Sequence, residues 1–216
     1  KSKPYLIIFK PSGLPSAPLS KEDKNNALSQ AIELYPQIQN VVGLKEIEYG
    51  LIHRLDTVTS GLIIIATTNE CYQALIKQQK LNKIKKYYQA ECNINFDNCK
   101  NVEGFEDYTN KSEILNFIHS NKNNEIIISS YFRHYGKNRS QIRPITDIEK
   151  VNKYIAAKIG KSKLYSTNIK ILEKNNNSVK VECWITQGFK HQVRCHLAWI
   201  GLPIKNDIIY NFSDND

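Results

Sequence analysis

The sequence predicts an α+β fold built on a mixed, largely antiparallel central sheet that is flanked by helices and loops. Apolar runs typical of strands outnumber segments with helical periodicity, and the two kinds do not alternate regularly along the 216 residues. No internal repeat, low-complexity linker or abrupt change in composition divides the chain. We therefore expect a single domain over residues 1–216.

The first third of the chain is predicted to contain two strands, each followed by a helix. Two apolar runs predict buried strands: Tyr5–Phe9 and Leu62–Ala66. Apolar residues at helical spacing follow each run: Ala27, Leu28, Ala31, Ile32 and Tyr35 after the first, and Tyr72, Leu75 and Ile76 after the second. Capping boxes formed by Ser20 with Asp23 and by Thr67 with Glu70 should start these helices, and Pro36 should end the first.

The rest of the chain is predicted to add four strands and two helical faces. The strands are Tyr87–Cys92, Glu125–Phe132, Tyr165–Leu172 and Val179–Thr186. The helical faces are Ile148, Val151, Ile155 and Ile159, and later Val193, Leu197 and Ile200. Residues 97–124 are polar and rich in asparagine, so we expect an irregular excursion at the edge of the sheet.

The charge of the chain favours a polyanionic partner. Thirty lysines and arginines against 21 acidic residues give a net charge of +9. Basic residues cluster at 77–86, ahead of two tyrosines, and again at 133–143 around Tyr135. Such mixtures can neutralise phosphates and stack bases, which indicates nucleic acid. The alternative for each cluster alone is a solvated helix end or a loop.

Other features of composition favour a reduced, non-membrane environment. No apolar stretch approaches the roughly 20 residues that span a bilayer, and the five apolar residues near the start are too few for a secretory signal. The five cysteines are odd in number and form no CxxC pair, so neither a disulfide framework nor a zinc site is indicated. We expect a cytoplasmic protein without a metal. The chain contains no methionine, so its own start is expected to lie upstream.

The stretch HRLDTVTSG, residues 53–61, places a lone carboxylate, Asp56, directly before a turn and an apolar strand. Two interpretations are open from spacing alone: Asp56 caps a turn and pairs with Arg54, or it is held for chemistry. Near the other end of the chain, Arg194 lies within an apolar helical stripe. If it is buried it needs an anionic partner, and otherwise it extends to the surface.

Five blocks resemble the RluA family of RNA pseudouridine synthases. HRLDTVTSGLIIIA is similar to the signature HRLDxxTSGLLL, and IIFKPSGLPSAP to the preceding KPxGL segment. KYYQAE is similar to a K-x-Y-x-A strand, and KLYSTNIKIL to a later strand with its threonine at Thr167. GFKHQVRCHLAWIGLPI resembles GRxHQIRxHLxxxGHPI. The resemblance covers the chain outside a variable segment at residues 95–160, and it implies the pseudouridine synthase catalytic fold with a catalytic cleft.

The chain departs from the family pattern at three places. Phe189 stands where the family has an arginine, and Leu202 where it has a histidine. KNDIIYN replaces GDxxYG and lacks its two glycines. These changes concern contacts with substrate and the conformation of a loop. We expect no S4 RNA-binding domain within these 216 residues, and such a domain upstream stays open.

The resemblance implies catalytic roles for three residues. Asp56 is the carboxylate, acting at the sugar or the base of a uridine. Arg194 keeps that carboxylate ionised in a partly dry pocket. Tyr88 stacks on the uracil and takes part in proton transfer. The reaction needs no cofactor and no metal.

The resemblance also implies substrate contacts. Arg54 helps to hold the target nucleotide out of the RNA, and Leu197 forms an apolar wall beneath the base. Lys10 and Lys190 contact phosphate. His53 belongs to the same substrate-binding set, with hydrogen bonding rather than general-base catalysis as its role.

The predicted function is therefore isomerisation of uridines in ribosomal or transfer RNA by a monomer that needs no protein partner and no membrane. A catalytically silent RNA-binding or RNA-chaperone protein on the same fold is the alternative. An interaction module that binds acidic proteins or membranes through its basic face is a third hypothesis. Intact Asp56, Tyr88 and Arg194 favour the enzyme, because a pure RNA binder has no need of a carboxylate facing phosphates.

Overall fold

The computed structural model describes residues 3–120, 125–147 and 163–212. Contacts divide the chain into two compact units, Lys1–Ile84 (unit 1) and Lys85–Asp216 (unit 2), and each is described by itself. Both combine helices with antiparallel strands, which confirms the predicted α+β class. The helical face predicted at residues 148–159 lies outside the described residues.

Unit 1 contains a two-stranded sheet with one helix packed on each of its faces. Its elements are β1 (Tyr5–Lys10), α1 (Ala27–Leu34), β2 (Gly61–Ala66) and α2 (Asn69–Lys80), with 3-10 turns at Pro36–Asn40 and Glu46–Glu48. β1 and β2 are antiparallel, with Tyr5 opposite Ala66 and Lys10 opposite Gly61. Fully buried aliphatic residues form the core between sheet and α1: Leu28, Ile38, Ile63 and Ile65.

The prediction that β1 and β2 are buried strands is wrong for one of their faces. Tyr5, Ile7 and Phe9 are 45%, 55% and 67% exposed, and Leu62 is 61% exposed. Side chains of a strand alternate between faces. One face packs on the core that contains α1, whereas α2 covers only the end of the other face, at Ile64 and Ala66. A continuous apolar run therefore did not indicate burial on both sides.

Both helices of unit 1 begin later than their predicted caps. α1 is capped by Asn26, whose side chain accepts from the Ser29 amide, and not by Ser20. α2 is capped by Thr68, which accepts from the Cys71 amide, and not by Thr67. In each helix the capping oxygen satisfies an N–H of the first turn, which has no partner within the helix. Pro36 follows the end of α1 as predicted.

Unit 2 is a five-stranded antiparallel sheet with helices. Its elements are β3 (Lys86–Asn93), α3 (Asn98–Asn101), α4 (Lys111–His119), β4 (Glu125–Tyr135), β5 (Gln141–Ile145), β6 (Tyr165–Lys174), β7 (Ser178–Ile185) and α5 (Gln192–Trp199). The strand order is β3-β7-β6-β4-β5, and every pair is antiparallel. α5 packs on the sheet through fully buried residues such as Leu197, which joins Ile114, Ile169 and Val181 in the core.

Two elements of unit 2 contradict the sequence prediction. Residues 97–124 are not wholly irregular, because α4 presents Ile114, Phe117 and Ile118 to the core at helical spacing within a polar stretch. β5, which contains Pro144, was not predicted. It is the last strand in the order, and proline is tolerated in edge strands because one side of such a strand needs no ladder hydrogen bonds.

Within the described ranges, none of the helices is both long and apolar enough to cross a membrane.

Candidate active site

The loop that carries Asp56 is fixed in place by the segment after β1. The Ser16 hydroxyl donates to the Leu55 carbonyl over 2.7 Å and accepts from the Leu55 amide over 2.9 Å. On the other side, the Gly13 amide donates to the Thr57 carbonyl over 2.8 Å. Gly13 has a φ of +88°, a conformation that favours glycine. Hydrogen bonds therefore join the KPSGLPS segment to the HRLD loop, which explains why the two motifs occur together.

Lys10, at the end of β1, is fully buried and also holds this loop. Its ammonium donates to the carbonyls of Pro11, Leu14 and Thr57 over 2.8, 2.7 and 3.2 Å. Burial lowers the pKa of Lys10, while the charge of Asp56 acts in the opposite direction. An ammonium has three donors, and three carbonyls accept them here. The geometry thus gives Lys10 a positioning role, and its contact with RNA phosphate stays a prediction.

Asp56 itself is half-exposed at the predicted turn, where the Thr59 amide donates to its carbonyl over 3.0 Å. Arg54 is exposed and forms an ion pair with Glu48 over 3.2 Å. Arg54 thus pairs with Glu48, and the catalytic role of Asp56 stays a prediction. His53 is half-buried in the same loop. The loop presents a carboxylate two residues after an exposed arginine, and the roles that the resemblance implies for them stay predictions.

Tyr88 and Leu197 meet at one hydrophobic cluster in unit 2. Tyr88 is half-buried on β3, opposite Cys183 of β7, and packs against the cluster that contains Leu197. Alternation along β3 places Lys86 on the same face as Tyr88. Burial lowers the pKa of Lys86. The K-x-Y-x-A spacing thus directs an aromatic ring and a lysine to the face of the sheet that α5 covers.

Arg194 is bound by a residue that the sequence analysis missed. Its Nε and Nη2 donate to the two carboxylate oxygens of Asp207 over 2.7 and 2.8 Å. Only 10% of the Arg194 side chain and 4% of the Asp207 side chain are exposed. The two-pronged geometry matches the planar fork of a guanidinium. Arg194 is buried and paired with an anion, so the alternative that it extends to the surface is wrong.

Asp207 is held in its charged form by several donors. Burial acts to raise the pKa of its carboxyl, but the Arg194 hydrogen bonds and charge, with the amides of Ile209 and Tyr210, lower it below its ordinary value. The Arg194 guanidinium also lies over the Tyr210 ring, 5.4 Å from its centroid. The signal in the sequence was NDIIY, which keeps the acid and the tyrosine of the GDxxYG pattern.

A buried polar network anchors α5 beneath this pair. The Gln192 Nε2 donates to the Ser166 carbonyl and to Thr167 Oγ1, over 3.0 and 3.2 Å. The two ring nitrogens of His196 lie 2.8 Å from Thr167 Oγ1 and 2.9 Å from Ser130 Oγ. Burial lowers the pKa of His196 to about 3, so its ring is neutral near pH 7. Thr167, matched only by resemblance in the sequence, is the centre of this network.

The remaining residues of the last motif have structural contacts. His191 has a φ of 54° and its Nδ1 lies 3.1 Å from the Tyr210 hydroxyl, which also accepts from the Ile142 amide. Cys195 is fully buried, and burial raises the pKa of its thiol, as expected for a packing residue. Lys190 is exposed, and its ammonium donates to the Arg139 carbonyl over 2.9 Å.

The predicted site residues are divided between the two units. His53, Arg54, Asp56 and Lys10 belong to unit 1, whereas Tyr88, Lys190, Arg194 and Leu197 belong to unit 2. The pairing of Asp56 with Arg194 would join the units, and it stays a prediction. Over the three described ranges, no three His, Cys, Asp or Glu side chains are grouped as ligands of a metal ion.

Comparison with known proteins assigns the chain to a family. The family model for RNA pseudouridylate synthase matches residues 4–199. The chain is 25% identical over 205 residues to an uncharacterized RNA pseudouridine synthase of Mycoplasma pneumoniae, covering 95% of this chain and 52% of that protein. It is 24% identical over 207 residues to ribosomal large subunit pseudouridine synthase D of Neisseria meningitidis, covering 95% of this chain and 43% of that protein. It thus spans about half the length of these curated relatives.

Solved structures show the same fold. Human RNA pseudouridylate synthase domain containing 1 is similar with a TM-score of 0.60 at 18% identity, covering 98% of this chain and 67% of that one. The human domain containing 4 protein gives a TM-score of 0.58 at 16% identity, covering 99% and 68%. The ordered motifs, the fold and the match over residues 4–199 agree, and the chain belongs to the RNA pseudouridylate synthase family.

Proposed function

We propose that this chain is an RNA pseudouridine synthase in which the two units act together as a single catalytic domain and Asp56 is the catalytic carboxylate. The observation that carries the proposal is the Asp56 loop. Backbone hydrogen bonds to Leu55 and Thr57 hold the residues on both sides of a half-exposed acid. Catalysis requires a reacting group in a fixed geometry, whereas a turn cap on a surface loop does not.

The reaction breaks the bond between N1 of uracil and C1′ of the ribose, rotates the base, and joins C1′ to C5. The C5 proton is lost and N1 gains one, so atoms balance without an oxidant or a second substrate. The Asp56 carboxylate acts on the sugar or on the base. For either role it must be ionised, and Arg194 is proposed to favour that form. A guanidinium has five N–H donors, and Asp207 accepts from two of its nitrogens. The remaining donors can therefore bind the Asp56 carboxylate in the proposed role.

The other predicted residues are proposed to bind the nucleotide. Tyr88 offers a half-buried ring for stacking, and Leu197 contributes to the apolar cluster against which that ring packs. Arg54 is exposed, and its 3.2 Å ion pair with Glu48 uses one guanidinium nitrogen, so other donors are available to an RNA phosphate. Lys190 and His53 complete the proposed contacts with the substrate.

Ribosomal RNA is the first substrate to test, because one relative is named for the large ribosomal subunit. Transfer RNA is the second. The predicted cytoplasmic location and monomeric state stay part of this proposal. The competing function is a silent RNA-binding protein, which would need no ionised carboxylate at residue 56.

The test is release of tritium from RNA labelled at C5 of uridine. Asp56→Asn should retain RNA binding and fold, but it should release no tritium above background because the amide cannot act as a carboxylate. Asp107→Asn, which changes another exposed aspartate in the same way, is the matched control and should release tritium like the wild type. Activity of Asp56→Asn within tenfold of wild type would contradict the assignment of Asp56.

A further inference from the structure

A hairpin outside the family motifs presents exposed cations in an unusual backbone conformation. β4 and β5 pair from Tyr131 to Tyr135, and residues 136–140 form the tip. Gly136, Asn138 and Arg139 have φ angles of 74°, 56° and 57°. Glycine and asparagine tolerate this left-handed region, but arginine is disfavoured there by about 1–2 kcal/mol. An arginine held in this conformation indicates use of its side chain.

The base of helix α5 adds a third cation to this tip. The Lys190 ammonium donates to the Arg139 carbonyl over 2.9 Å. The pKa of the neighbouring His134 is lowered by partial burial and then by the positive charges of Arg139 and Lys190. We call Lys137, Arg139 and Lys190, all exposed, the cationic tip.

The three cations of this tip differ from six other cations of the chain, which are engaged in ion pairs with acidic side chains. In the described part of the chain, none of the three has an acidic partner, whereas ion pairs engage Lys21, Lys45, Arg54, Lys100, Lys180 and Lys205. Three neighbouring unneutralised charges create a positive potential that attracts a polyanion.

Two other basic residues of the same hairpin are not available in this way. Arg143 is only 3% exposed, and its guanidinium donates to the carbonyls of Glu103 and Ile142 and to the Gln141 side chain. Arg143 is therefore not an exposed member of the basic cluster at 133–143. Arg133 donates to the Gly104 carbonyl and lies over the Tyr135 ring. These contacts stabilise the hairpin within unit 2. The cations that stay exposed for a partner are those of the cationic tip.

Phe189 connects this tip to the departure from the family pattern. Its ring lies 5.3 Å from Phe132, 5.1 Å from Tyr165 and 5.5 Å from His134. The residue that replaces the family's arginine is thus used for packing beneath the hairpin.

We propose that the cationic tip binds the phosphate backbone of the substrate RNA in place of an arginine at residue 189. This inference rests on the proposed RNA-modifying function, since it assumes an RNA substrate. It adds Lys137 and Arg139, from the variable segment, to Lys190, which is already among the proposed substrate contacts.

The test compares the salt dependence of RNA binding between two double variants. Lys137→Ala with Arg139→Gly removes two charges from the tip, and the glycine relieves the left-handed backbone, so the fold should be retained. Lys24→Ala with Lys174→Ala removes two exposed charges elsewhere and is the matched control. The probe is bulk bacterial transfer RNA, titrated at several KCl concentrations, with urea unfolding to check each fold.

The tip variant should bind about 10- to 30-fold more weakly near physiological salt. Its slope of log affinity against log salt should fall by about 1.4–1.8, as two lost phosphate contacts require. The control should match the wild type. Equal slopes for the two double variants would overturn this proposal and leave the proposed function intact. Full tritium release by Asp56→Asn would refute the proposed catalytic role and leave the tip as a binding surface.

Discussion

Arg194→Met should be one of the most destabilising single changes in unit 2. It removes the guanidinium from a pair whose side chains are 10% and 4% exposed, and leaves the Asp207 carboxylate buried with two backbone amides as donors. Breaking a buried pair from one side typically costs about 3–5 kcal/mol, and this pair is nearly fully buried. The free energy of unfolding should fall by that amount at pH 7.

A double variant separates two contributions to this loss of stability: the lost attraction of the ion pair and the cost of an unpaired buried carboxylate. In Arg194→Met with Asp207→Asn, the amide oxygen can still accept from the Ile209 and Tyr210 amides but carries no charge. Most of the loss should be recovered, with a coupling energy of about 2–3 kcal/mol. Lys180→Met is the control, because its pair with Glu173 spans 3.5 Å between side chains that are 43% and 72% exposed. That change should cost at most about 1 kcal/mol.

The pH dependence of the free energy of unfolding tests the same pair independently. In the wild type the pKa of Asp207 is lowered, so its stabilisation is present above the ordinary value of 3.8 and is lost as pH falls through the lowered one. In Arg194→Met, burial without a cation raises that pKa, so the penalty grows as pH rises from about 4 to 7. Urea unfolding followed by the fluorescence of Trp199, 2% exposed on α5, measures both. A loss below about 1 kcal/mol, or an equal loss at pH 4 and 7, would refute this reasoning.

Two further predictions concern buried groups. Lys10→Met should lower the free energy of unfolding in urea by about 1.5–3 kcal/mol, because three carbonyls lose a charged donor. It should also slow tritium release, because the Asp56 loop is no longer held. A variant with wild-type rate and stability would contradict the positioning role. The pKa of His196 is lowered from 6.5 to about 3, so the unfolded chain binds a proton that the folded chain does not, and stability should fall by up to about 1.4 kcal/mol per pH unit below pH 6.5. His196→Gln should flatten this slope, and an unchanged slope would exclude His196 as its source.

The strands were predictable where local apolar runs coincide with tertiary burial. Six of the strands lie within a few residues of the runs that predicted them, because β-branched and aromatic residues favour a pleated, packed surface. Which face of β1 is covered could not be read from YLIIFK, since both faces are apolar and only packing distinguishes them. α4 was missed because three buried residues lie among polar neighbours that dominated the composition of residues 97–124.

The candidate site was predictable at the level of residue types but not of partners. Asp56, Tyr88 and Arg194 were chosen from motifs, and the need of a buried Arg194 for an anion followed from desolvation. Which anion it meets is decided by tertiary structure. Asp207 lies 13 residues further along the chain, after a turn in which Asn206 has a φ of 59°. The positions of charged residues in the sequence do not show that the loop after α5 folds back and brings Asp207 to Arg194.

The pair of Arg194 with Asp207 limits what Arg194 could contribute to the proposed catalysis. Coupled to a carboxylate over 2.7 and 2.8 Å, it is nearly neutral as a unit, so it cannot act on Asp56 as an isolated positive charge. Its contribution would instead be directional, through donors whose orientation Asp207 fixes. An Arg194 variant would then lose both stability and activity. Asp207→Asn would leave the guanidinium charged but less firmly oriented, and this separates electrostatic support for Asp56 from correct placement of its donors.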